Sequence, residues 1–189
     1  MTFALKRTLA VAGLTLAATP AFAHTGGTVA GFASGFAHPI LGLDHLMAMV
    51  AVGVWSAAQP ARLAWRGPAV FVAMLGVGAL LGMNGISMPF VEPGILASVV
   101  ILGLMIAAAR MLPAALGLVA IGGFALLHGH AHGTEAAGAL AGYMTGFLLA
   151  SALLHGAGYG AGRIAAMMRF GLIASGLAIA AGGLVLAGG

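Results

Sequence analysis

The chain has 189 residues, 62% of them hydrophobic and 5% charged, with a formal net charge of +4. Soluble domains carry about 25% charged residues, so this composition excludes an ordinary water-soluble fold. Seven basic residues scattered between apolar runs do not make a nucleic-acid surface. The absence of cysteine excludes disulfides, thiolate metal sites and iron–sulfur clusters.

Residues 1–23 read as a cleavable signal peptide. Lys6 and Arg7 form its charged start, Leu9 to Ala18 its apolar core, and Ala21-Phe22-Ala23 a small-x-small cleavage site after Pro20. Cleavage after Ala23 would leave His24 at a new N-terminus outside the cytoplasm. Its α-amine and imidazole would form a chelate at the mouth of a metal path; the bland alternative is an ordinary terminal histidine.

The remainder, 24–189, is expected to be one all-α membrane bundle of six spans, near 33–57, 68–86, 94–110, 113–132, 137–159 and 168–187. Apolar runs of about 20 residues are the length a membrane helix needs. Glycine, at 32 of 189 residues, suits close helix contact in lipid. Pro60, Pro68, Pro89, Pro93 and Pro113 punctuate the short connections. With the N-terminus outside, Arg62, Arg66, Arg110, Arg163 and Arg169 all fall on the cytoplasmic side. The two outer loops, near 87–93 and 132–137, contain no Lys or Arg. That is the positive-inside pattern, and it favours an even number of spans in the inner membrane with both termini periplasmic. Six spans also divide into two inverted halves of three, a common transporter plan.

Span 1 carries His38-Pro39, then Asp44-His45. Positions 38, 45, 49 and 52 share a helical face. In a straight helix His38 and His45 stand about 10.5 Å apart along the axis, too far to hold one ion. Either Pro39 and Gly42 loosen the turn and bring them together, or they are successive stations on a path. Asp44 serves as a ligand or fixes the histidine tautomer; the plain alternative is a buried His–Asp hydrogen-bond pair. Span 4 ends His128-Gly129-His130-Ala131-His132-Gly133-Thr134-Glu135. His128, His132 and Glu135 follow i, i+4, i+7, and an i, i+4 histidine pair can chelate one ion. His130 points to the opposite side. The plain alternative is a polar outer loop with incidental histidines.

Imidazole with carboxylate is the ligand set of Zn, Ni, Co and Cu, and such groups within a bilayer usually have a function. Both clusters lie toward the outer half of the membrane and can converge. His155, late in span 5, is either an exit station or an interfacial histidine. Met83, Asn84 and Met88 near the outer end of span 2 offer weak contacts; Glu92 reads as a solvated outer-loop residue, with an attracting charge as the alternative; and Met47, Met49, Met74, Met105 and Met144 read as packing residues. Gly156 and Gly160 permit close packing without revealing a partner.

The stretches HPILGLDHLMAMVAVGVWSA and HGHAHGTE, with the signal peptide, six-span layout and short chain, resemble the HupE/UreJ family of nickel/cobalt permeases. The resemblance spans essentially the whole sequence. It implies nickel uptake, with cobalt as the second candidate, for hydrogenase or urease maturation. By matching positions it implies His38, Asp44, His45, His128, His132 and Glu135 as metal-path residues; His130 and His155 have no secure match. The expectation is a permease rather than an enzyme. It has no prosthetic group, Ni²⁺ or Co²⁺ as transported substrate, metallochaperones downstream, and room for homo-oligomers. The chain shows no nucleotide-binding motif. An intramembrane Zn²⁺ hydrolase is the alternative from another class, but it finds no HExxH pair and no serine placed with the clusters. Neither is there a Gly-x-Ser-x-Gly setting for a rhomboid-like protease. A membrane metal sensor or accessory protein is the third reading.

Overall fold

The computed structural model describes residues 31–135 and 140–189; the expected signal peptide and His24 lie outside them. The described residues are helical, with no strand among them. The helices are α1 (Gly31–Leu41), α2 (Leu43–Ala57), α3 (Arg66–Met83), α4 (Val91–Ala107), α5 (Ala114–Glu135), α6 (Leu140–Ala166) and α7 (Gly171–Gly188), with a 3₁₀ turn at Ala61–Leu63. Most fall within about three residues of an apolar segment read from the sequence, but the first segment is two helices and α6 runs to Ala166 rather than to 159.

That division is the main departure from the sequence reading. Pro39 lies inside α1 and removes a helical donor. Gly42, extended at φ −80° and ψ 107°, then ends the first helix and caps the second. The chain turns through 77° between them.

Three helices are long and apolar enough to cross a membrane, within Ala61–Met83, Ala114–Thr134 and Gly171–Gly188. The bent α1–α2 pair makes a fourth if it counts as one span. The apolar α4 is shorter, at 17 residues, and α6 runs for 27. Only 28% of the apolar window in α7 is buried within the protein. Leu80, Leu104, Val119, Leu153, Leu184 and Val185 are likewise exposed. Apolar surface on this scale is matched by lipid rather than water.

The helices pack mainly in the pairs α3 with α5, α2 with α6, α4 with α7, and α1 with α6. Glycines sit at the crossings because a side chain there would hold the backbones apart. A Cβ on Gly129 would overlap the Leu75 carbonyl, and one on Gly133 the Ala79 carbonyl. The register of these contacts makes α3 parallel to α5 and α2 parallel to α6, while α4 and α7 are antiparallel. Exchanging α2, α3, α4 for α5, α6, α7 maps those three pairs onto one another, but the contact of α2 with α4 has no comparable counterpart between α5 and α7. Gly156 and Gly160 take no part, since a Cβ on either meets nothing within 4 Å.

The core between the helices is built from Met49, Val52, Phe71, Leu75, Leu102, Ile106, Ile121 and Phe147, all fully buried. Arg62, Arg66, Arg110, Arg163 and Arg169 lie at or beside the helix ends and connections of one end of the bundle. The starts of α2 and α6 and the finish of α5 are at the other.

Candidate metal centre

Three histidines meet at the end of the bundle away from the arginines. One ring nitrogen from each of His38, His45 and His132 lies within 4.8 Å of the other two. The ring centroids are 5.3 Å apart for His38 and His45, 4.7 Å for His38 and His132, and 4.8 Å for His45 and His132. Three imidazole nitrogens each about 2.1 Å from one tetrahedral ion stand about 3.4 Å apart. The cluster must therefore close by up to about 1.4 Å to bind one ion.

The bend at Gly42 makes this possible. Folding the chain back replaces a separation of about 10.5 Å along a straight helix with ring contact. The same bend puts Asp44 in the first turn of α2, where the helix dipole favours a carboxylate. Asp44 Oδ1 accepts the backbone N–H of His45 at 2.8 Å and lies 2.8 Å from His45 Nδ1. A carboxylate can only accept, so Nδ1 carries the proton. The His45 lone pair then sits on Nε2, which is buried without a hydrogen-bond partner. Asp44 thereby fixes the tautomer and orientation of the His45 ring.

Helix α5 persists through Glu135, so the i, i+4 relation holds and His128 and His132 share a face. The His128 ring is 4.7 Å from that of His45. Its Nε2 is 3.1 Å from Ser98 Oγ, whose own proton goes to the Ile95 carbonyl at 2.6 Å. The hydroxyl must therefore accept from His128 Nε2–H. This leaves Nδ1 as a bare lone pair, buried and without a partner. His128 continues the cluster into the core as a second orientated imidazole. Tyr143 and Phe147 of α6 wall the site, with Phe147 4.5 Å from the His132 ring.

The remaining expected residues are placed differently. His130 faces away from the cluster and donates through Nε2 to the Ile86 carbonyl at 2.6 Å, tying α5 to the α3–α4 connection. Glu135 closes α5, and its side chain lies outside the described residues. Glu92 is exposed in the first turn of α4. Met83 and Asn84 are exposed, and Asn84 Nδ2 caps the Leu80 carbonyl at 2.7 Å. His155 is buried in α6, toward the arginine end. Between it and the cluster stands Phe71, whose ring is 6.0 Å from His128 and 5.0 Å from His155. Sequence reasoning missed Ser98, although it is the lone hydroxyl in the apolar run of α4 and its signal was present.

Residues 12–186 match the family model described as HupE / UreJ protein. The chain belongs to the HupE/UreJ family. Protein HupE of Rhizobium leguminosarum bv. viciae is 39% identical over 186 residues, covering 97% of this chain and 95% of that protein. No solved structure matches the chain. Membership of the HupE/UreJ family and the lipid-type helices identify an integral membrane protein.

Proposed function

We propose that this protein is a secondary permease. It takes up a divalent transition metal, Ni²⁺ first and Co²⁺ second, across the cytoplasmic membrane for hydrogenase or urease maturation. The observation that carries the reading is the His38–His45–His132 cluster, held by Asp44 and placed at the end of the bundle opposite the arginines. Imidazoles suit borderline ions such as Ni²⁺, and Asp44 fixes the tautomer of His45. By the positive-inside rule the arginine end is cytoplasmic, so the cluster faces the periplasm and both termini lie there after signal cleavage. In this reading α2 to α7 make six passages, α1 lies bent across the outer end, and the metal is cargo rather than a resident cofactor. The protein has no enzymatic activity of its own and hands the ion to cytoplasmic metal carriers.

Family membership supports this reading, as does the pairing of α3 with α5 and of α2 with α6 across the two halves of the chain. No ATP is needed. Two charges moving inward gain about 4.6 kcal/mol per 100 mV of inside-negative potential.

Proteoliposomes with an imposed inside-negative potential test the proposal. Saturable Ni²⁺ entry that is lost in His45→Ala and His132→Ala is the expected result. Tight Ni²⁺ binding with no entry in a folded, correctly oriented preparation would reject the permease and leave a sensor or metal-dependent membrane enzyme.

A further inference from the structure

The arginine end of the bundle carries charge that the protein itself does not neutralise. The three acidic residues are Asp44, Glu92 and Glu135. They stand in the first turn of α2, in the first turn of α4 and at the finish of α5, all at the histidine end. Arg62, Arg66, Arg110, Arg163 and Arg169 therefore have no acidic side chain at their own end. Two of them share a recess. Arg110 and Arg169 line a cavity of about 240 Å³ where α4 gives way to α5 and α6 to α7, together with Ala109, Met111, Met168 and Ile173.

The recess has a cationic part and an apolar part. A guanidinium presents a planar fork of N–H donors that matches the oxygens of a phosphate. Arg169 rests over the Phe170 ring at 4.8 Å. That contact to the π face positions the group and leaves N–H donors for an anion. Helix α7 begins at the recess with no side-chain cap, so its dipole adds to the positive potential there. The apolar part of the lining is open to the bilayer: Met111 is 88% exposed, Met168 65% and Ile173 44%. Leu177, one turn further along the same face of α7, is exposed as well. A soluble anion would meet the arginines but leave the apolar rim uncovered. A molecule with an anionic head and a hydrocarbon tail satisfies both.

We infer that Arg110 and Arg169 form a binding site for an anionic phospholipid of the leaflet at the arginine end. Its phosphate lies between the two guanidiniums, and an acyl chain runs along Ile173 and Leu177. Basic pockets between membrane helices hold lipid headgroups in this way. The bound lipid fastens the α4–α5 connection to the α6–α7 connection. The inference goes beyond the permease reading and needs only that the arginine end meets the membrane surface.

Native mass spectrometry of the purified full-length protein, titrated with phosphatidylglycerol or with phosphatidylcholine of the same chains, tests the site. The first phosphatidylglycerol should bind about fivefold more tightly than phosphatidylcholine. Arg110→Gln and Arg169→Gln should each remove that preference. Both side chains are exposed, so helix content by circular dichroism should be unchanged. Ala109→Glu keeps both arginines but sets a carboxylate beside them, and it should remove the preference too. Arg62→Gln and Arg163→Gln lie outside the recess and should retain it. An excess of glycerol phosphate should not displace the lipid. Ni²⁺ affinity should stay at the wild-type value in Arg110→Gln and Arg169→Gln, which keeps this test separate from that of the metal centre. Equal binding of the two lipids, or equal loss in all four arginine variants, would reduce the effect to general surface charge and overturn the proposal. Displacement by glycerol phosphate would leave a site for soluble phosphate and overturn it as a lipid site.

Discussion

An imidazole binds a metal through a lone pair, so whatever holds the proton on its other nitrogen decides where that lone pair points. Asp44 does this for His45, and Ser98 does it for His128. Asp44→Asn keeps the size of the side chain, but its amide can donate as well as accept and no longer enforces the Nδ1–H tautomer. Ni²⁺ affinity should fall by about 10- to 100-fold, the usual effect of losing such a partner, with helix content unchanged by circular dichroism. Equilibrium dialysis of the purified variant checks this, and wild-type affinity would assign Asp44 a purely structural part. The imidazoles must be unprotonated to bind. Protons therefore compete for the same nitrogen lone pairs, and the apparent Ni²⁺ affinity should fall as the pH is lowered, read by the same dialysis across a pH series. The sign is fixed: acid weakens binding and alkali does not. His130 has another task, since its Nε2–H is committed to Ile86. His130→Ala should lower stability by about 1 kcal/mol, the net worth of one hydrogen bond, and leave tight metal binding in place.

At the scale of the helix, Gly42 and the glycines of α5 do different work. Gly42 is the break that brings α1 and α2 together at 77°. A Cβ there would stand 3.2 Å from Asp44 Oδ1 and 3.3 Å from His45 Nδ1. Gly42→Ala should therefore disturb the Asp–His pair and weaken Ni²⁺ binding while the bundle still folds. Gly129 and Gly133 let α5 approach α3, with neighbouring backbone carbonyls occupying the space of a side chain. Gly133→Ala should destabilise the protein by about 1–3 kcal/mol through overpacking, read as a lower Tm in detergent. Most helix ranges were legible because each follows an apolar run with proline or glycine near an end, whereas α6 continues to Ala166, beyond the expected 159, through a stretch that carries Arg163. The two helices within the first run were not, since hydropathy is blind to direction. Pro39 and Gly42 marked where a bend was permitted without requiring it. The expected i, i+4 pairing in α5 was legible because it follows from helical periodicity alone.

Across the whole molecule, charge and ligands separate to opposite ends. The arginines cluster at the end where α2 gives way to α3, and the three-histidine cluster lies at the other. If the ion crosses from the histidine end, the membrane potential acts on two charges. Equilibrium accumulation should then rise more than about 1000-fold per 100 mV, from about 4.6 kcal/mol. Measuring Ni²⁺ uptake at graded potassium-diffusion potentials checks this. Uptake that ignores potential but follows an imposed pH gradient would instead assign the coupling to electroneutral proton exchange.

The sequence by itself determined what is local or additive. Apolar runs dictate membrane helices, because the backbone has no other way to satisfy its hydrogen bonds in lipid. The placing of five arginines favours one orientation by the positive-inside rule, and the residue types in two motifs set the kind of ion the proposal names. Which ligands meet was decided only by the tertiary structure. His38, His45 and His132 come from three helices, and their distances depend on one 77° bend and on the crossing of α5 with its neighbours. The roles of Ser98 and His130 belong to the same level, because each rests on a partner 30 or 44 residues away. Periodicity along a helix fixes which face a side chain occupies, but only packing fixes what that face meets.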